Sequence, residues 1–551
     1  MERLTRVSME GGTPTTGTGW NFADLWEHVA DRFGNELAAV HGDREVCWRD
    51  FDQRADGVAR TLIDAGLSRQ DKVAQYLRNC PEYMESMFGV FKAGLVPVNT
   101  NFRYGDEELR HLWGNSDTAA VVFHAEFTEV CERIRARMPA VRLWLRVGAP
   151  EDRAGCPDWA VTYEDAAGSA DSRLRPPWGR SGDDLYLLYT GGTTGLPKGV
   201  MWRQDDLFRM LEAVQGRVPP DPADPAGYVS RLRRRGPTVL PAAPLMHGTA
   251  CWFVMPALSQ GGTVATLGGV SLDVEDLLDT VVERDVRGIC IVGDPFARPI
   301  LQALDGEPDR WDLSRLRVIS SSGAIFKAES KQRLLSYAPN AVVFDGLGSS
   351  ESGSLATSVT TSESGDATAR FRLGPNTRVI DDDGRDVEPG SGQDGRLAVG
   401  GHLPLGYYGD PDKTAATFVE LGGRRFVVAG DRAIADADGT ITLLGRGSGC
   451  INTGGEKVYP EEVEEVLKTA EGVLDAAVVG IPDDRFGEAV AAVVQCEPGR
   501  VLDTDALIRH VRERLAGYKA PKRIVTVESD LRGANGKLNY GRLKDIAGRA
   551  G

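Results

Sequence analysis

The sequence predicts an α/β protein: a large N-terminal domain of α/β subdomains with a small β subdomain, joined by a hinge to a small α+β C-terminal domain. Three observations carry that expectation. Helix-like and strand-like segments alternate from Asn21 onward, the pattern that gives largely parallel strands. Near Phe371 the texture changes to short strands joined by turns, and from Pro460 a compact helix-and-strand unit follows a Gly/Ser-rich connection. At 551 residues the chain is also too long for one ordinary core. The expected boundaries are 1–445 for the large domain, its β-rich part at about 371–445, 446–449 for the hinge and 450–551 for the small domain.

Each element has a local reason. Phe22, Leu25, Trp26, Val29 and Phe33 share one face of a helix over Phe22–Phe33, with Asn21 as N-cap. Strands are expected at Ala38–His41, Val73–Leu77, Ala119–Phe123 and Val141–Val147, separated by helices at Phe51–Ala65, Tyr83–Ala93 and Glu107–Asn115. The uncharged run Leu185–Tyr189 reads as a buried strand and Gln204–Val214 as a helix. Pro219–Tyr228, rich in Pro, Asp and Gly, reads as an exposed, mobile loop that ends at the basic cluster Arg231–Arg235, itself taken as a solvated charge run.

Strands at Gly288–Val292, Leu316–Ser320 and Ala341–Phe344 each run into a glycine-bearing turn containing Gly293, Gly323 or Gly346-Leu347-Gly348. In open α/β sheets, ligands collect at such carboxyl ends. Further on, Arg378–Ile380, Asp381–Arg385 and Gly395–Val399 read as strands. Pro460 opens a helix, strands follow at Ala476–Ile481 and Val490–Cys496, and the helix Thr504–Ala516 stops at Gly517. Gly445–Gly449, with three Gly and a Ser, is the expected hinge.

A net charge of −16 argues against bulk nucleic-acid or anionic-membrane binding and leaves room only for a local anion site. The 8 cysteines show no CxxC or His/Cys metal spacing, so a reducing compartment without structural zinc is the default. The N-terminus has no apolar segment of the secretory kind. Gly236–Leu272 lacks charged side chains apart from its one His, but four prolines and a Gly pair interrupt it, so a membrane span is not expected.

One stretch, Tyr189–Val200, reads YTGGTTGLPKGV. A strand empties into a loop where Gly191, Gly192 and Gly195 let the backbone close on an anion. Thr190, Thr193 and Thr194 add hydroxyls and Lys198 a positive charge. The order excludes a Walker loop, because Leu196 and Pro197 separate Gly195 from Lys198.

With that stretch, PLMHGTA from Pro244, GLGSSESG from Gly346, GYYGDPDKT from Gly406, AGDRAIADADGTITLLGR from Ala429, NTGGEKVYPEEVEEVL from Asn452 and GANGKL from Gly533, the chain resembles the adenylate-forming superfamily. Within it the chain is most similar to AMP-forming acyl-CoA synthetases. The resemblance spans nearly the whole chain and implies two steps. A carboxylate attacks the α-phosphate of ATP to give acyl-AMP and pyrophosphate; the thiol of coenzyme A then displaces AMP. It implies roles too. Glu351 ligates Mg²⁺ with Thr190 as a weaker contact, Ser349 and Ser350 offer hydroxyls to phosphate, Asp431 takes the ribose hydroxyls, and Arg446 contacts the nucleotide. Gly323, Ala324, Gly346, Leu347 and Gly348 border adenine, Leu347 standing where the family commonly has an aromatic.

By the same resemblance Lys537 is the adenylation lysine, carried by the mobile domain, and His247 lies beside the substrate carboxylate. Trp252, Phe253, Val292, Gly293, Gly323, Gly346 and Gly348 bound the acyl pocket. Gly454, Gly455 and Glu456 line the pantetheine path, with Lys519 and Lys522 at CoA phosphates. Ser448 departs from the charged hinge of the family. The wording GRGSGCINTGGEKVYPEE is similar to a branch handling long-chain and sterol side-chain acids. The expected partners are therefore a hydrophobic carboxylic acid, ATP, Mg²⁺ and CoA, in the cytoplasm, with no prosthetic group, nucleic acid or membrane span. Peripheral lipid contact and a homodimer are compatible with the sequence. A carrier-protein loader, a luciferase-like oxidase and a catalytically weak binding protein are the rivals. With no carrier domain after Lys537, a free-standing ligase is expected.

Overall fold

A computed structural model describes residues 19–149, 154–190, 197–324, 326–363, 370–374, 376–446, 450–497, 499–531 and 540–549. Gly191, Gly192, Thr193, Thr194, Gly195, Ser448 and Lys537 lie outside them.

The first helix, Phe22–Phe33, forms as its pattern requires: Asn21 accepts from the Ala23 N–H at 2.9 Å, and Phe22, Leu25, Trp26 and Val29 are buried. It packs with Trp48–Asp64 and Pro81–Lys92 between two large sheets, where Phe22 stacks on Phe91 and Phe51 on Phe88. Burying such rings, at roughly 1.5–3 kcal/mol each, ties the two sheets into one body. In the first sheet Leu37–His41, Thr263–Thr266, Thr238–Pro241, Val286–Ile291, Val318–Ser322 and Val342–Ser349 run parallel. In the second, Lys72–Tyr76, Val96–Asn99, Thr118–His124, Leu143–Val147 and Leu185–Thr190 do the same, and Lys198–Arg203 returns antiparallel to Leu185–Thr190.

Several sequence expectations are corrected. The segment Gly346-Leu347-Gly348 is not a turn: Val342–Ser349 continues through it because Gly353–Thr360 pairs antiparallel alongside. That ladder passes through Arg370–Leu373 to Thr440–Arg446 and Asp431–Ala435, so the β-rich part hydrogen-bonds directly onto the parallel sheet. Asp381–Arg385 is a turn, closed by Asp381 N–H to the Arg385 carbonyl at 2.9 Å. Within the expected loop, Pro225–Ser230 is a short helix capped by Asp224. Its Tyr228 ring meets Trp20 and Phe208, and Val229 is buried. The helix that starts at Thr504 ends at Arg512, short of Ala516.

The C-terminal unit pairs Val473–Asp483 with Gly487–Cys496 and Ile451–Thr453 with Glu456–Val458. The helices Pro460–Lys468 and Thr504–Arg512 pack on one side, and Tyr540–Arg549 on the other. Among the described residues, no helix is long and apolar enough to cross a membrane.

Candidate functional site

The carboxyl ends of the parallel strands converge on one cavity of 1440 Å³. Leu185–Thr190 arrives from one sheet, and Thr238–Pro241, Val318–Ser322 and Val342–Ser349 from the other. A buried asparagine joins them. Asn99 accepts the Tyr189 N–H at 2.6 Å and donates to the carbonyls of Tyr189 at 2.9 Å and Met246 at 2.6 Å. It therefore holds the approach to Thr190 against the segment that carries His247. Asn79 does similar work, donating to the carbonyls of Pro241 and Ala243 and accepting the Leu245 N–H. Buried backbone groups left unpaired cost about 1–3 kcal/mol each. Asn99→Ala is expected to lose about 3 kcal/mol in denaturant unfolding and to raise KM for the nucleotide; an unchanged unfolding midpoint would refute that role.

Glu351 stands on the cavity wall, which Thr190, Ser349 and Ser350 also line. Tyr407 donates its hydroxyl to Glu351 Oε1 at 2.7 Å, and burial together with Glu351 pushes the phenol's pKa up, so it remains a donor. Lys198 Nζ lies 3.8 Å from Asp410 and 5.9 Å from the Tyr407 ring centre. Burial and Lys413 hold its ammonium below the usual lysine range, against Asp410 and Glu351. The Ser350 carbonyl accepts Trp202 Nε1–H at 2.9 Å, which fixes the turn carrying Glu351. No group of three His, Cys, Asp or Glu able to hold a metal occurs among the described residues. A single carboxylate beside hydroxyls suits Mg²⁺, which commonly takes its remaining ligands from substrate phosphates and water.

His247 caps the helix Gly248–Ser259 and faces the cavity, as do Trp252 and Phe253 one turn on. Opposite stands a loop from the C-terminal unit. Gly454 and Gly455 have φ of +60° and +89°, and a Cβ on Gly455 would lie 3.2 Å from Val292 Cγ1. Glycine lets this loop bend and press against the wall. Glu456 Oε1 lies 3.3 Å from His247 Nε2 and 2.9 Å from Arg103, and its Oε2 accepts from Asn101 at 3.3 Å. Burial would raise the pKa of Glu456, but His247, Arg103 and Asn101 outweigh it and hold the carboxyl below its ordinary range.

Thr190, His247, Trp252, Phe253, Val292, Gly323, Gly346, Leu347, Gly348, Ser349, Ser350, Glu351, Gly454, Gly455 and Glu456 thus share one wall system. Other expected residues stand elsewhere. Gly293 starts the helix Gly293–Gly306 and gives its N–H to Ser321 Oγ at 3.0 Å, so it lies behind Val292. Ala324 is not among the lining residues. Asp431 is buried at the head of Asp431–Ala435, in register with Arg446 on Thr440–Arg446. Lys519 is not at a phosphate site: it is fully buried, 2.7 Å from both Glu108 and Glu462. Lys522 keeps a half-exposed ammonium 3.5 Å from the Phe486 ring centre. Asn99, Asn101 and Arg103 went unpredicted; their only local signal is polar residues directly after the apolar run Val96–Val98.

From this C-terminal edge the cavity continues along the sheet face beneath Trp252, Phe253, Pro256 and Ala257. It passes Val239, Gly288 and Val318 and reaches Arg235 and Arg287 at the strands' amino ends. A strand of the length of Val286–Ile291 spans about 20 Å.

Comparison with known proteins matches residues 26–408 to the AMP-binding enzyme family and residues 462–537 to the AMP-binding enzyme C-terminal domain. The chain is 39% identical over 536 residues to a medium/long-chain fatty acid and 3-oxocholest-4-en-26-oate CoA ligase of Mycolicibacterium smegmatis, covering 96% of both chains. It is 38% identical over 537 residues to a 3-oxocholest-4-en-26-oate CoA ligase of Rhodococcus rhodochrous, again covering 96% of each. Among solved structures, an amide bond synthetase from Marinactinospora thermotolerans superposes with a TM-score of 0.78 at 23% identity, covering 95% of this chain and 99% of that one. An o-succinylbenzoate CoA synthetase from Bacillus subtilis does so with a TM-score of 0.75 at 20% identity, covering 95% and 98%.

Proposed function

Because the chain belongs to the AMP-binding enzyme family, we propose that it is an acyl-CoA ligase that activates a bulky hydrophobic carboxylic acid with ATP and passes the acyl group to coenzyme A. The observation that carries this reading is the shared cavity: Thr190 and Glu351 from the large domain and Gly454–Glu456 from the small one line the same space. In the first step the acid's carboxylate attacks the α-phosphate and pyrophosphate departs. Thr190, Ser350 and Lys198 hold the phosphate end, Glu351 with Thr190 would hold Mg²⁺, and His247 orients the acid. Bound Mg²⁺ would supply charge neutralisation on the phosphate oxygens. In the second step the thiol enters beside Gly454 and Gly455 and displaces AMP, which keeps the electrons of the broken C–O bond. Asp431 and Arg446 are assigned to the ribose side and Lys537 to the first step by their motifs. ATP and CoA as substrates, with eight free cysteines, fit a cytoplasmic setting.

The acyl end of the cavity favours a long or polycyclic acid such as a long-chain fatty or sterol side-chain acid. Its walls are apolar over the length of a strand, and Gly288 leaves the space that a side chain would take: a Cβ there would lie 3.2 Å from Phe253 Cζ. Acid-dependent AMP release with ATP, Mg²⁺ and CoA over a panel of short, long-chain, aromatic and sterol-derived acids tests the reading. Thioester from long or sterol-derived acids is the expected product; a preference for acids of six carbons or fewer would overturn it. Gly288→Leu should lower kcat/KM for dodecanoate by about tenfold or more while sparing hexanoate, the scale that a few methylenes carry.

A further inference from the structure

We propose that His247 is the general base that takes the thiol proton of coenzyme A, and that Glu456, delivered by docking of the C-terminal domain, is the positioning residue that sets its tautomer. The inference rests on the acyl-CoA ligase reading above and adds a proton path to its second step.

Three observations carry it. First, Glu456 is buried, and its side-chain partners among the described residues are Arg103, Asn101 and His247 Nε2. Against burial, the Arg103 charge and the hydrogen bonds from Asn101 and His247 keep its carboxyl ionised, and an ionised carboxylate can only accept. Nε2 therefore carries the hydrogen, and Nδ1 of the neutral ring is left with its lone pair. Second, no partner for Nδ1 occurs among the described residues, and the His247 side chain is 32% exposed, toward the cavity it lines. Third, the pair is split between domains. His247 stands on the helix Gly248–Ser259 of the large domain and Glu456 on the strand Glu456–Val458 of the small one. The base is complete only when Gly454 and Gly455 are pressed against Val292, the arrangement in which that loop lines the cavity.

The step balances. The thiol S–H proton passes to His247 Nδ1, sulfur bonds to the acyl carbonyl carbon, and the C–O bond to AMP breaks with its electrons leaving on the phosphate oxygen. The imidazolium, stabilised by Glu456, then returns its proton to solvent. A cysteine thiol has a pKa of about 8.5; an alkyl thiol such as that of CoA is no stronger an acid and is mostly protonated at pH 7, so a base is useful there. A carboxylate behind an imidazole serves a nucleophile's proton transfer in the same manner in hydrolytic triads.

Other charges face the pair. Arg103 is matched to Glu456, Lys457 lines the same cavity, and Tyr104 and Tyr518 are neutral phenols whose pKa values burial raises well above the usual range. Behind the tyrosines lie Lys519, Glu108 and Glu462.

The test uses the full-length enzyme with preformed dodecanoyl-AMP and CoA in single turnover between pH 7 and 9, comparing wild type with Glu456→Gln. The variant should form thioester about 10² times more slowly at pH 7, the usual scale of general-base catalysis. The deficit should shrink by about tenfold or more by pH 9, as free thiolate replaces the missing base. Pyrophosphate–ATP exchange without CoA should fall less than threefold. A deficit that stays constant across that range marks a docking or packing role and overturns the proposal, as does an equal fall in exchange. A wild-type enzyme that adenylates dodecanoate yet forms no thioester overturns the ligase reading itself, and that result is read before any variant.

Discussion

Lys537→Ala is expected to slow acyl-AMP formation by about 10²–10³, the usual loss for a positioned donor that stabilises developing charge. Thioester formation from supplied acyl-AMP should persist. Lys537 lies outside the described residues, so its assignment rests on the motif GANGKL; the charge balance of the cavity supports it. Two anions, the acid's carboxylate and the α-phosphate, must meet in a space already bordered by Glu351 and Glu456. Lys198 sits 3.8 Å from Asp410, and Arg103 sits 2.9 Å from Glu456. Each is already set against a carboxylate, so a further cation has a defined task in the first step. After thiol transfer begins no such crowding remains, and the second step should tolerate the alanine. Quenched-flow measurement of both half-reactions decides it; an equal loss in both would refute a lysine used in one step alone.

Local chemistry made much of this molecule legible. The cap at Asn21, the apolar face of Phe22–Phe33 and the run Leu185–Thr190 form as their patterns require. Motifs carrying glycines and hydroxyls lie at strand ends because only such residues let backbone and ligand approach closely. Where tertiary pairing overrides a local signal, the sequence misleads. Glycines made residues 346–348 look like a turn, but the neighbouring strand Gly353–Thr360 supplies the hydrogen bonds that keep them extended. The site's connecting contacts were hidden for a different reason. Asn99 to Met246, His247 to Glu456 and Glu108 to Lys519 join residues 147, 209 and 411 positions apart. No periodicity or spacing encodes such partners. Lys519 is the plainest case: it reads as a CoA phosphate contact until the carboxylates that bury it are known.

Those carboxylates give the second large effect. Glu108 caps the helix Asp106–Asn115 of the large domain by accepting the Gly105 N–H at 3.0 Å. Glu462 caps Pro460–Lys468 of the small domain by accepting the Tyr459 N–H at 3.1 Å. Lys519 Nζ bridges the two at 2.7 Å each, with all three side chains at most 1% exposed. The bridge crosses the domain boundary beside Tyr104 and Tyr518, which line the cavity, so it holds the arrangement that brings Glu456 to His247. Removing one partner of a buried ion cluster costs about 3–5 kcal/mol. Lys519→Met would leave two carboxylates facing each other across the boundary.

The expected result for Lys519→Met is a thioester step slowed by about 10² or more, since 1.4 kcal/mol is a factor of ten. Adenylation should fall less than threefold, because it does not require this docking. The two half-reactions measured side by side would refute the bridge if both fell together or neither moved. A pH effect follows from the same cluster. Burial raises the Glu462 carboxyl to about 7, against the pull of Lys519. Glu108, brought up by the large domain, adds to that rise, so the Glu462 carboxyl favours docking when protonated and loses that support as pH climbs through about 7. The docked fraction should therefore decline between pH 5 and 7 and level off above, where Glu462 is ionised in both arrangements. Glu462→Gln removes the titrating group and should flatten that decline. A decline that survives the substitution would place the titration elsewhere.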